Sequence, residues 1–248
     1  MERAVLLRPF WKRIFRYAWV LNVLLFLLLG ALRAYGLLGP SGARMLVMPG
    51  FFLMWFLPFL FYSREGRTAI GIRRVERKAW ILWGILLGLA GGLAVYALGY
   101  LLFGNGENNW YVSLLNSYQI EGSMRAMGMS TLFLIFTAPA ILFSPAGEEF
   151  FFRGMIHESA REAGAPGGAA LWNALAFAGA HLLHHGIFRE GAGLRILPVS
   201  GLIWFLLMMG LSWVFTECRE RSGSIWPAVL AHGAFNLSMN VAIFLFVF

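Results

Sequence analysis

Charge is what this sequence has least of. Of its 248 residues only 13% are Asp, Glu, Lys or Arg, about half the quarter that a soluble domain carries. So few charges cannot furnish a water-facing surface, which excludes an ordinary soluble domain. Cysteine is nearly missing. The single Cys218 rules out an intrachain disulfide and a multi-cysteine metal cluster, and it reads as a small apolar residue near a helix end. No repeat or low-complexity linker divides the chain, so residues 1–248 are expected to form a single membrane-embedded domain. No basic face with interleaved aromatics stands outside the apolar segments, so a net charge of +8 does not point to nucleic acid. No small-residue cleavage site follows the basic N-terminus, and the first apolar run is expected to persist as a helix.

What abounds is apolar. Hydrophobic residues make up 59% of the chain and the mean hydropathy is +0.69. Ten Trp and 23 Phe suit interfacial belts and lipid-facing surface. Long apolar segments run over 17–38, 45–62, 79–103, 127–160, 168–185, 197–218 and 225–248. Each approaches or exceeds the ~20 residues that cross a hydrocarbon core. Residues 6–15 suit an amphipathic helix on the membrane surface, an eighth element. The expected fold is therefore an all-α polytopic membrane protein, a bundle of seven to eight transmembrane helices. Fifteen of the twenty Lys and Arg fall on the side of the N-terminus, and five (Arg33, Arg44, Arg125, Arg189 and Arg195) on the other. Basic residues gather on the cytoplasmic side, so the N-terminus is expected there. The compact size suits a bacterial cytoplasmic membrane.

Ionisable residues inside such segments are costly and default to a functional reading. The fourth segment holds Glu148, Glu149 and Arg153 among Phe and Gly. Glu149 and Arg153 are four apart, share a helix face and can pair. Glu148 points about 100° away and has no partner on its own helix. Glu149 with Arg153 thus reads as a supporting ion pair, and Glu148 as a lone carboxylate suited to general-base work. The fifth segment contributes His181 and the seventh His232 and Asn236, again four apart on one face, with Gly233 and Ala234 small enough for another helix to approach. If the turn between segments four and five is 161–167, Glu148 and His181 both lie roughly 18–20 Å from it, and His232 and Asn236 lie about 10 and 16 Å in from Ile225. All four fall at comparable depth. The assembled chemistry is hydrolysis: Glu148 takes a proton from water held with the help of His181, while His232 and Asn236 donate to the oxyanion.

The blander readings are an ion-pair network bracing the bundle for the two Glu, and interhelical hydrogen bonding for His232 and Asn236. His181 and His185 stand at zinc-ligand spacing, but no HExxH helix is present, and His184 and His185 read as interfacial. His157 and Glu158 read as a solvated helix end.

The motifs EExxxR (Glu148, Glu149, Arg153), FxxxH (Phe177, His181) and HxxxN (His232, Asn236), in this order on three late segments, resemble the CPBP family. That family comprises CAAX prenyl-protein endopeptidases, bacteriocin-processing or self-immunity proteins and related glutamic-type intramembrane proteases. The resemblance covers about residues 125–248. It implies an intramembrane endopeptidase with Glu148 as catalytic Glu, His181 beside it, His232 and Asn236 as the oxyanion pair, and Glu149 and Arg153 in support. The expected substrate is a membrane-associated protein or peptide. No cofactor is expected, the close variant being a divalent metal such as zinc held by Glu148, His181 and His232. A transporter or proton relay, in which buried Glu and His carry ions, is the reading from another class. A degenerate member acting as a chaperone or immunity factor is a third.

Overall fold

In hydrocarbon every backbone N–H and C=O must find its partner within the chain, so an apolar run of this length folds as a helix. The computed structural model describes residues 6–120, 122–165 and 167–248. Arg3, counted above among the inside charges, and Pro166 of the turn at 161–167 lie outside them. In chain order the elements are α1 (Pro9–Ile14), α2 (Ala18–Leu38), a 3-10 turn (Ser41–Leu46), α3 (Val47–Phe61), α4 (Arg64–Ala69), α5 (Ala79–Phe103) and α6 (Trp110–Ser117). A second 3-10 turn (Gly122–Met127) leads into α7 (Met129–Leu142), α8 (Ser144–Glu149), a π-helical stretch (Phe150–Ile156) and α9 (His157–Glu162). Then come α10 (Ala169–His181), an antiparallel hairpin of β1 (Ile187–Glu190) and β2 (Gly193–Ile196), α11 (Pro198–Ser222) and α12 (Trp226–Ala242), which closes in π geometry over Ile243–Val247.

Six helical segments among the described residues are long and apolar enough to cross a membrane: Ala18–Leu38, Gly42–Phe61, Ala79–Phe103, Met129–Glu162, Pro198–Ser222 and Trp226–Val247. Their outward faces carry large apolar side chains such as Leu28, Leu101 and Leu202, for which lipid is the fitting solvent. The count of seven to eight is not confirmed, and the segment expected as the fifth crossing is the one whose helix is short. α10 has 13 residues, about 20 Å of rise, short of a ~30 Å core. Beyond His181 the chain turns through Gly186, whose φ of +116° favours glycine. A Cβ there would stand 3.2 Å from Gly201 Cα. The eighth element is the six-residue α1, with the Trp11 ring tilted against Phe61 at 4.6 Å.

The run Met129–Glu162 has 34 residues, roughly 50 Å if unbroken and too long for one straight crossing. It breaks at Phe143, because Pro145 has no N–H for the preceding turn and instead begins a new helix. Glu148 and Glu149 follow directly, so the acids sit near the middle of the run. The π stretch that succeeds them is a feature found often at functional sites.

Helix α12 lies at the centre, against α5, α7, α8 and α11. Its contact with α5 is backbone to backbone. Gly84, Gly88 and Gly92 recur every fourth residue on one face of α5, and small residues let membrane helices close to van der Waals contact. A Cβ on Gly88 would lie 2.0 Å from the Ala231 carbonyl oxygen, and one on Gly84 2.6 Å from that of Pro227. On the opposite side a Cβ on Gly233 would lie 3.1 Å from the Ile141 carbonyl oxygen of α7. The helix that carries His232 and Asn236 is thereby seated on both flanks. Replacing Gly88 by Leu should force α5 and α12 apart and destabilise the protein by about 1–3 kcal/mol or more. Gly30→Ala, at a site with nothing within 4 Å, should be silent. Thermal unfolding of the two variants in detergent measures the difference.

Candidate active site

As successive residues of α8, Glu148 and Glu149 point in different directions, and each meets a guanidinium. Arg153 Nη1 stands 3.1 Å from Glu149 Oε1 with both side chains fully buried. Arg153 makes no directed hydrogen bond among the described residues; its charge is met by Glu149 and by the Phe177 ring, whose centroid lies 3.9 Å from Cζ, a close cation–π contact. Glu148 is not the lone carboxylate expected. Arg33 Nη1, from α2, donates to Glu148 Oε1 at 3.0 Å, and both side chains are buried. The expectation went wrong because the partner comes from another helix, more than 100 residues away in the chain.

His232 is set by Glu149. Its Nδ1 lies 2.8 Å from Glu149 Oε1, so Nδ1 carries the proton and donates, and Nε2 turns to Glu148 Oε2 at 3.8 Å. The ring stacks on Phe215 of α11 at 5.1 Å. His181 is oriented in the same way by backbone. Its Nδ1 donates to the Phe177 carbonyl at 2.8 Å, the Trp204 indole N–H holds the His181 carbonyl at 2.9 Å, and Nε2 faces Glu148 Oε2 at 3.7 Å. Two imidazole nitrogens thus converge on one carboxylate oxygen that has no hydrogen-bond partner among the described residues. Phe177 of the FxxxH motif packs on His181, His232 and Arg153 at once. Asn236, one turn beyond His232, gives an amide N–H to the Ala140 carbonyl at 2.9 Å and lines the same cavity. That cavity holds about 450 Å³, and its largely apolar wall is interrupted by Arg33, Glu148, His181, His184, His232 and Asn236.

Several polar residues read from sequence as peripheral lie inside. His184 meets Arg33 Nη2 through its Nε2. His185 is fully buried between Ser113 Oγ at 2.7 Å and Ser200 Oγ at 3.0 Å, tying α6 to α11. Burial pushes its imidazole down to about 4, so the neutral ring offers one N–H and one lone pair to the two hydroxyls. It therefore stands apart from His181 rather than forming a zinc pair with it. His157 and Glu158 are braced by Arg219 at 3.2 and 2.9 Å, not left at a solvated end. In each case the helix end expected at the interface is covered by a segment distant in sequence. For the same reason Arg33, Arg153 and Arg219 are core residues and carry no weight in the count of loop charges.

Residues missed in the sequence are Arg33, His184, Phe215, and Tyr118 with Asn240. Tyr118 Oη donates to Asn240 Oδ1 at 2.5 Å, and Asn240 Nδ2 to the Asn236 carbonyl at 3.0 Å. Arg33 alone left a signal, a charge more than a turn inside an apolar helix.

The family model described as type II CAAX prenyl endopeptidase, Rce1-like, matches residues 130–238. The match agrees with the motifs. It runs from α7 into α12 and contains Glu148, Glu149, Arg153, His181, His232 and Asn236, whereas Arg33 and Tyr118 fall outside it. No curated protein and no solved structure matches the chain. With the six apolar segments, the Rce1-like match makes this an integral membrane protein with a CAAX-protease-like segment.

Removing Arg153 tests the supporting pair. Arg153→Met leaves Glu149 buried without its cation and should cost about 3–5 kcal/mol. Adding Glu149→Gln should return part of that loss, read by thermal unfolding of the single and double variants.

Proposed function

We propose that this protein is an intramembrane endopeptidase that hydrolyses a peptide bond of a membrane-associated protein or peptide, with Glu148 activating water. One observation carries the reading: the unpartnered Oε2 of Glu148 faces two imidazole nitrogens at 3.7 and 3.8 Å in a largely apolar cavity. Those spacings are too long for direct hydrogen bonds and suit one water shared among the three groups.

In the proposed reaction that water gives one proton to Glu148 Oε2 while its oxygen attacks the scissile carbonyl carbon. His181 Nε2, whose lone pair faces the water because Nδ1–H is committed to Phe177, accepts the other hydrogen bond. The carbonyl electrons move to oxygen, and Asn236 has a second amide N–H to give that oxyanion. His232 donates there only when its ring carries both protons, since Nδ1–H is committed to Glu149. Collapse breaks the C–N bond, and the proton on Glu148 passes to the leaving amine. Low local dielectric strengthens each of these contacts.

The tautomers that Glu149 and Phe177 impose would also suit metal-facing imidazoles. However, no group of three His, Cys, Asp or Glu side chains among the described residues has metal-binding spacing. Activity is expected to persist in the presence of a chelator. The cytoplasmic N-terminus is retained in the proposal: Arg161 pairs with Glu220 near the start of α5 and Arg195 with Glu107 beyond its end, so the chain between them passes from one end of the bundle to the other, and with the three buried arginines set aside the charge count is thirteen to four.

The deciding comparison is between membrane-proteome termini of cells expressing wild type and cells expressing Glu148→Gln. New termini confined to wild type are expected, and identical termini with folded protein would overturn the reading. A peptide spanning a cleavage site found in this way should be cleaved more slowly by Glu149→Gln, because His232 loses the carboxylate that orients its ring.

A further inference from the structure

We propose that Arg33 is a positioning residue of this site: it keeps Glu148 ionised and holds its second oxygen toward the cavity, so that the N-terminal half of the chain completes the catalytic apparatus. Arg33 lies outside the span matched by the family model, on the first of the membrane-crossing helices.

The charges require such a residue. Glu148 and Glu149 are adjacent, buried to 1% and 0% exposure, and on different faces of their helix. Arg153 serves Glu149. A second ionised carboxylate with no cation of its own would carry a desolvation penalty of several kcal/mol, which it would escape by taking up a proton. Protonated, it could not act as a base. The groups facing Glu148 are Arg33 from α2, His181 and His184 from the end of α10 and the following turn, His232 from α12, and Glu149 and Arg153 from its own helix. Of these cations only Arg33 touches it, at 3.0 Å.

The contact also discriminates between the two oxygens. Arg33 takes Oε1, which leaves Oε2 as the oxygen that meets His181 and His232. The guanidinium is itself fixed: Nη2 is against His184 Nε2, and Cζ lies 5.5 Å over the Phe51 ring of α3. The carboxylate rotamer is therefore locked from a helix that the catalytic motifs do not include. A planar guanidinium with two committed nitrogens fixes direction as well as charge, which a lysine ammonium does less well.

The ionisation of Glu148 is independent of any substrate, so the first measurement needs none. Infrared difference spectra of purified protein, wild type minus Glu148→Gln, should show a carboxylate at pH 7. Arg33→Gln should convert it to a carboxylic acid, with a carbonyl band that disappears in the Arg33→Gln/Glu148→Gln double variant. Arg33→Lys, which keeps the cation, should keep the carboxylate. A protonated Glu148 in wild type would overturn the proposal even if Arg33→Gln fails to fold. An unchanged carboxylate in folded Arg33→Gln would overturn it as well.

The second measurement rests on the protease reading and uses the termini comparison. Products made by wild type and absent with Glu148→Gln should be lost with Arg33→Gln at neutral pH. With the peptide substrate so identified, Arg33→Gln should cleave it far more slowly than wild type, and Arg33→Lys should recover part of the rate. If wild type and Glu148→Gln give the same termini, the protease reading fails and the infrared result alone decides on Arg33. If they differ and Arg33→Gln matches wild type in rate, the role of Arg33 fails and the protease reading stands.

Discussion

Two carboxylates side by side in the middle of an apolar bundle impose the constraint around which this protein is organised. Neither Glu148 nor Glu149 can be hydrated by lipid, and burying an ion without a partner is among the largest penalties a fold can incur. The structure answers with two guanidiniums, Arg153 from the same helix and Arg33 from α2. The cluster sets two acids against two guanidiniums, and each acid keeps one oxygen free of direct hydrogen bonds among the described residues. Everything else in the site is arranged about that cluster: His232 hangs from Glu149, and the two imidazole Nε2 atoms converge on Glu148.

The packing follows from the need to hold these groups without water. Phe177 fills the space between Arg153, His181 and His232, presenting its face to the cation and its body to both rings. Phe215 closes the far side of His232. The glycines of α5 remove side-chain bulk where α12 must approach, so the helix bearing His232 and Asn236 rests on backbone rather than on adaptable side chains. Side chains that must meet at fixed spacings tolerate little displacement, and backbone-to-backbone seating supplies that rigidity. The Pro145 break serves the same end, because it redirects a helical run too long for one straight crossing and leaves the acids at mid-depth.

The parts legible in the sequence were those governed by neighbours along the chain. Helix formation by long apolar runs, the i,i+4 pairing of Glu149 with Arg153 and the shared face of His232 and Asn236 all depend on local periodicity, and each is found. Illegible were contacts that join distant segments. Arg33 was read as a loop charge and proves to be the partner of Glu148. His184 and His185, read as interfacial, are covered by α2, α6 and α11. The segment after 168 was apolar enough to suggest a crossing, yet its helix stops at His181 because a glycine turn and a hairpin follow.

By itself, then, the sequence determined that the chain is a helical membrane protein and which late polar residues lie within its apolar segments. Apolar length and i,i+4 spacing are properties of a single helix, and they act before any two helices meet. Only the tertiary structure decided which carboxylate receives which cation, which histidine tautomer faces the cavity, and how many segments are long enough to cross. Those outcomes depend on side chains from separate helices arriving at one depth and one angle, and no spacing along the chain encodes that arrival.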